Sequence, residues 1–169
     1  MKKIDKSANE IFFTSDTHFG HNWIIKFNNR PFATEEEMDK ALIENWNRIV
    51  PANGLTFILG DIGFTDDSRI INIFSQLNGE KILIRGNHDG NYKEETLKSI
   101  FIEIHDLLYV RIFDDISSKF CYMMLCHYPM LDWKSSFRGA WQLFDHVHTR
   151  ELEEFKTFKT NLFALQYDV

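Results

Sequence analysis

Residues able to bind a metal recur in five short clusters along this chain: Asp16-Thr17-His18, Gly60-Asp61, Gly86-Asn87-His88-Asp89, Cys126-His127 and His146-Val147-His148. One Asp-x-His, or one histidine after a strand, is common by chance. Five clusters in this order imply a single site. Their mixed carboxylate, amide and imidazole donors suit a pair of divalent ions. The reaction such a pair serves is attack of water on a phosphate ester, in which the incoming oxygen and the phosphoryl group are both electron-rich. Two ions ~3.5–4 Å apart lower the pKa of water and clamp the phosphoryl oxygens together.

Asp16 and His18 are two apart, so in an extended segment their side chains share a face and can hold one ion. His146 and His148 repeat that spacing. Such a pair needs a carboxylate able to bridge, and Asp61 is the candidate. Gly86 lets the backbone turn sharply, Asn87 offers a neutral oxygen, and His88 is left free to donate a proton to a departing alkoxide. His127 ends a strand before Tyr128-Pro129, where proline stops the ladder, and reads as a further ligand. Arg85 has the planar fork that grips phosphoryl oxygens, or it forms a surface salt bridge. His21 either lines the substrate pocket or packs its loop. His105 falls on the polar face of a strand-like run, and Trp133, Phe137 and Trp141 read as core fillers before base-stacking groups.

The elements that must position these residues follow from the apolar pattern. Strand-like runs at Ile11 to Phe13, Leu55 to Leu59 and Lys81 to Arg85 each lead directly into a cluster, and in open α/β sheets ligands gather at the carboxyl ends of strands. Thr34 and Glu37 form a capping box for a helix on which Met38, Leu42, Trp46 and Ile49 recur at helical spacing, closed by Pro51 and Asn53-Gly54. Further helices are predicted over Asp67 to Leu77 and Lys93 to Phe101, as crossovers between parallel strands. Beyond residue 104 the pattern changes to strands at Leu107 to Phe113, Phe120 to Cys126 and Trp141 to Phe144, which reads as antiparallel. Arg150 to Tyr167 has apolar residues at three- and four-residue steps and predicts a helix.

At 169 residues the chain suits one domain, with specificity left to loops. A net charge of −6 and a pI near 5.6 argue against a binder of long nucleic acid, which needs a basic surface, and favour a small phosphate ester or a nucleotide. No run approaches the ~20 apolar residues of a membrane span and no leader is evident, so a cytoplasmic location is expected. Cys121 and Cys126, five apart in one strand, point to opposite faces and read as core thiols. The sequence is silent on oligomeric state.

These motifs resemble the calcineurin-like metallophosphoesterase superfamily, whose pattern runs Asp-x-His, Gly-Asp, Gly-Asn-His-Asp/Glu, His, Gly-His-x-His. The likeness covers residues 11 to 149. Asp16-Thr17-His18-Phe19-Gly20-His21, Arg30-Pro31-Phe32 and Asn45-Trp46-Asn47 look like the short bacterial and phage members. The resemblance implies an α/β fold, a four-layer αββα sandwich of two mixed sheets flanked by helices, with the site along one edge. It implies Asp16, His18, Asp61 and His148 around one ion, Asp61, Asn87, His127 and His146 around the other, and His88 as general acid. Two divalent ions are expected as cofactors, Mn²⁺ first, with Fe, Zn²⁺ or Ni²⁺ as alternatives that mixed N/O ligation does not separate. A non-catalytic, protein-binding scaffold on the same fold is the rival expectation. Two departures stand out. Asp145 replaces the glycine before the last His-x-His, where a side chain is expected to strain the loop. Relatives also continue past the counterpart of Val169 into a glycine-containing strand, so an edge strand is expected to be missing.

Overall fold

The structure, a computed structural model, describes residues 1–146 and the backbone of Gln166–Asp168. In chain order the elements are β1 (Lys2–Ile4), β2 (Ile11–Thr14), α1 (Asn22–Phe27), α2 (Glu35–Ile49), β3 (Leu55–Ile58), α3 (Asp67–Ser75), β4 (Glu80–Ile84), α4 (Glu94–Ile100), β5 (Glu103–His105), β6 (Leu108–Asp114), β7 (Lys119–Leu125), β8 (Trp141–Phe144) and β9 (Gln166–Asp168). They form two sheets. One is the parallel β2-β3-β4-β5, with α2, α3 and α4 as its crossovers; the other runs β1-β6-β7-β8-β9.

Alternation along the strands builds two cores back to back. Leu55 and Phe57 of β3, and Ile82 and Ile84 of β4, face the other sheet, where they meet Val110, Ile112 and Leu125. Ile58 and Leu83 point the opposite way, onto Ile70, Ile73 and Phe74 of α3 and Leu97 of α4. Strands covered on both faces are apolar throughout, as β3 is.

The helices start where their caps allow. Thr34 accepts the Glu37 N–H at 3.2 Å, but Glu37 reaches one residue further back than a capping box requires, taking the Ala33 N–H at 2.9 Å. Asp66 caps α3 by accepting from Ser68 and Arg69. Ile49, expected on the buried face of α2, is instead exposed, and Val50, one residue on, takes the buried place after Trp46.

The second half differs from the expected antiparallel arrangement. Among the described residues only β6 and β7 pair that way; β8 lies parallel to β7, because the loop from Cys126 to Ala140 carries the chain back across the sheet before β8 begins. Trp133 packs inside that loop with Met124 and Ala140, donating its indole N–H to the Ala140 carbonyl. Phe137 and Trp141 do not fill the core: Phe137 is 78% exposed and Trp141 lies at the surface end of β8. Both cysteines are free, half-buried thiols, their pKa values raised by burial.

The helix expected over 150–167 lies mainly outside the described residues, but Gln166 and Tyr167 belong to strand β9, which pairs with β8 and occupies that sheet's edge. Among the described residues no helix is long and apolar enough to cross a membrane.

Candidate metal centre

The loops leaving β2, β3, β4, β7 and β8 converge at one edge of the two sheets, and their backbones are unusually constrained there. Asp16, His18, Asp61 and His146 all have positive φ, at 45°, 50°, 52° and 76°. That region disfavours residues bearing a Cβ and persists only where surrounding contacts enforce it. The enforcing contacts are present. Asp16 and His18 donate their N–H groups to the carbonyls of Gly60 and Asp61, each at 3.0 Å, which ties the first loop to the second. Arg30 holds the first loop from outside, its guanidinium reaching the Asp16 carbonyl at 2.7 Å and the Thr17 carbonyl at 3.0 Å.

The second and third loops are joined by Asp89. Its carboxylate, with 0% exposure, accepts from the N–H groups of Gly86 (2.7 Å), Ile62 (3.0 Å) and Asp61 (3.1 Å). Burial raises its pKa, with these bonds opposing the rise. Two glycines make the approach possible. A Cβ on Gly60 would lie 2.5 Å from the Gly86 nitrogen, and one on Gly86 would lie 2.3 Å from Oδ1 of Asp61.

Within this frame Asp16, His18 and Asp61 are 5%, 1% and 2% exposed, and ligand atoms from all three lie within 4.8 Å of one another. This buried Asp-His-Asp group could bind a metal. Nε2 of His18 is 3.2 Å from Asp16 Oδ1 and 4.0 Å from Asp61 Oδ2. Two ligands ~2.1 Å from a common ion at tetrahedral or octahedral angles are about 3.0–3.4 Å apart, so the spacing is close to what coordination requires.

His127 supplies a sharper test. Its Nδ1 lies 2.7 Å from the Leu59 carbonyl, which can only accept, so Nδ1 carries a proton and Nε2 is the nitrogen left to serve as a metal ligand. That nitrogen faces Asn87 Oδ1 at 3.1 Å and Asp61 Oδ2 at 3.6 Å. Three ligand atoms directed at one another are the donor set of a cation, and the residues fit one.

His88 stands at the rim, half-buried, with Nε2 3.9 Å from Asp61 Oδ2 and its backbone N–H bonded to Asp61 Oδ1 at 2.9 Å. His21 places Nδ1 3.1 Å from Nδ1 of His18 and stacks on Phe64. Burial first, then His18, His88 and Arg30, depress its pKa to about 4. A neutral His21 can accept the His18 Nδ1–H, which turns the His18 Nε2 lone pair toward the carboxylates. His146 is exposed and sets its ring 5.0 Å from His127 and 4.8 Å from Tyr128. His148 lies outside the described residues.

Two expectations are corrected here. Arg85 is not brought to the cluster: its guanidinium is engaged by Glu94, with Asp106 at 3.9 Å, so the surface ion pair is what forms. Asp145 is not strained, because its φ is not positive; the left-handed residue is His146, one position later. The Asp145 side chain accepts from the Ser15 hydroxyl, and its N–H donates to the His127 carbonyl at 3.0 Å. Rather than crowding the loop, the carboxylate joins the strand end before Asp16 to the one before His146. His105 is half-buried beside Glu103.

No local pattern marks Arg30 as a holder of backbone carbonyls or Phe64 as a residue of the rim. Asp89 does belong to one, as the last residue of the Gly-Asn-His-Asp run.

The chain belongs to the calcineurin-like phosphoesterase family, whose model matches residues 10–160. It is 35% identical over 151 residues to an uncharacterized protein of Methanocaldococcus jannaschii, covering 88% of this chain and 75% of that protein. The gene 66 protein of Mycobacterium phage L5 is 35% identical over 82 residues, covering 47% of this chain and 39% of the phage protein. Among solved structures, a protein of unknown function from Aquifex aeolicus matches with a TM-score of 0.53 at 29% identity, covering 90% of this chain and 74% of that one.

Proposed function

We propose that this protein hydrolyses a small phosphoric ester, a nucleotide included, at a dinuclear metal centre. The observation that carries the proposal is the position of Asp61. Its buried Oδ2 faces imidazoles from three separate segments, 4.0 Å from His18, 3.6 Å from His127 and 3.9 Å from His88. One carboxylate placed between two ligand groups and a rim histidine is what a bridging ligand beside a proton donor requires.

In this assignment Asp16, His18, Asp61 and His148 would hold one ion, and Asp61, Asn87, His127 and His146 would hold the other. When bound, the ions, Mn²⁺ by preference, lower the pKa of water and neutralise phosphoryl charge. The chain's own residues do the rest. His127 is fixed by Leu59, His18 is turned by His21, and Asp89 and Arg30 keep the ligand loops in their left-handed conformations. His88, partly open to solvent, gives its proton to the departing oxygen, a step worth about 10²–10⁴-fold.

The acidic balance of the chain supports a small substrate over long nucleic acid. Elemental analysis after metal loading, paired with a screen of mono- and diesters, tests the proposal. Two ions per chain and metal-dependent turnover are expected. Metal-replete protein that turns over no ester would favour the scaffold alternative.

A further inference from the structure

The rim of the candidate centre contains an aromatic ring that the proposed chemistry does not use. Phe64 is 52% exposed, yet its position is fixed. Its N–H donates to the Phe19 carbonyl at 2.8 Å, and the preceding Gly63 is bridged to Phe19, whose side chain is fully buried. A Cβ on Gly63 would lie 2.8 Å from that carbonyl and 2.9 Å from the Tyr92 hydroxyl, so the backbone below Phe64 has no room to shift.

The ring is equally well placed. It stacks on His21, with centroids 4.8 Å apart and planes inclined 28°. It meets His88 edge to face at 5.8 Å and 87°. His21 covers part of the ring and His88 marks the direction of the reacting bond. A group leaving beside His88 would depart next to the half-exposed Phe64 ring. That surface offers no hydrogen bond, only an apolar π-face.

We infer that Phe64 is the wall of a leaving-group subsite that selects esters with a flat aromatic ring close to the phosphate, either a nucleobase or an aryl group. This rests on the proposed hydrolase chemistry, and specifically on departure of the leaving group beside His88. Stacking between a base and an aromatic side chain spans about 5- to 150-fold in affinity, the expected size of the effect.

The test uses leaving groups of similar basicity that differ in flatness: benzyl phosphate, cyclohexylmethyl phosphate and adenosine 5′-phosphate, on metal-loaded wild type, Phe64→Leu and Phe64→Trp. Phe64→Leu is expected to lower kcat/KM by about 5- to 150-fold for the flat substrates, with the cyclohexylmethyl ester changing less than about threefold. Phe64→Trp should retain the preference. Benzylphosphonate binding, followed by calorimetry, should weaken in parallel in Phe64→Leu while inorganic phosphate binding stays constant. Loss in the benzyl arm alone assigns the subsite to aryl groups, and loss in the adenosine arm alone to nucleobases. Equal loss on all three esters, or none, would overturn the inference, since Phe64 would then only brace His21 and His88 or do nothing. Wild type that cleaves no ester would refute the hydrolase proposal. The benzylphosphonate titration would still decide whether Phe64 holds a flat ring.

Discussion

The two sheets make unequal contributions to the candidate centre. From the parallel sheet come Asp16, His18 and Asp61, all buried, all in left-handed backbone, and bound to one another through Arg30, Asp89 and the backbone bonds between the first two loops, together with the exposed Asn87 from the loop after β4. From the other sheet come His127, which is buried and bonded across to Leu59, and His146, which is exposed with its ring set against His127 and Tyr128. The difference teaches that the first half is tied mainly within one sheet, whereas the second is fixed by a bond that crosses from one sheet to the other.

The sharpest way to break this comparison is Asp61→Asn, which removes the carboxylate both halves share. Metal binding and turnover should both be lost, by well over the ~10²-fold that removal of an outer hydrogen-bond partner costs; elemental analysis and rates on loaded protein check it. Next is His88→Asn, which should leave metal content intact and reduce turnover about 10²–10⁴-fold on esters with poor leaving groups. The loss should shrink on a nitrophenyl ester, whose leaving group needs no proton. Equal loss on both ester types would remove His88 from the proton-donor role.

Arg30→Lys sharpens the comparison further. An ammonium cannot span both the Asp16 and Thr17 carbonyls, so metal affinity should fall about 10- to 100-fold, measured by competition with a chelating dye. The smallest effect is expected from Asp145→Gly. Sequence considerations favoured a gain in affinity on relief of strain, but the unstrained backbone and the bond to Ser15 reverse that expectation. The variant should lose about 1–3 kcal/mol of stability in denaturant titration and bind metal no better than wild type. Improved metal binding would restore the strain argument.

Much of this frame was legible in the sequence because it rests on local signals. The strand ends before Asp16, Asp61 and Asn87 could be read from apolar runs stopped by glycine or polar residues, and α2 from Thr34 and Glu37. Features that depend on partners distant in sequence were not legible. Arg30 acts on backbone carbonyls, which any residue provides, so its target leaves no trace in composition. Arg85 and Arg30 are the same residue type near the same site, and only tertiary placement gives one an ion pair with Glu94 and the other the metal loop. Phe64 is one of sixteen phenylalanines, and nothing in its immediate sequence sets it apart from the others. The parallel pairing of β8 was hidden because an apolar run records burial and not direction.

The bond between His127 and the Leu59 carbonyl joins one sheet to the other across the core they share. Its consequence is mechanical. A ligand set divided between two sheets would make the distance between them a determinant of metal affinity, so a methyl lost at Val110, in the core between the sheets, would be transmitted to the site as a change in span. The relation also runs in reverse. Ions held from both sides would act as a clasp on the sandwich, raising resistance to unfolding with the logarithm of their free concentration.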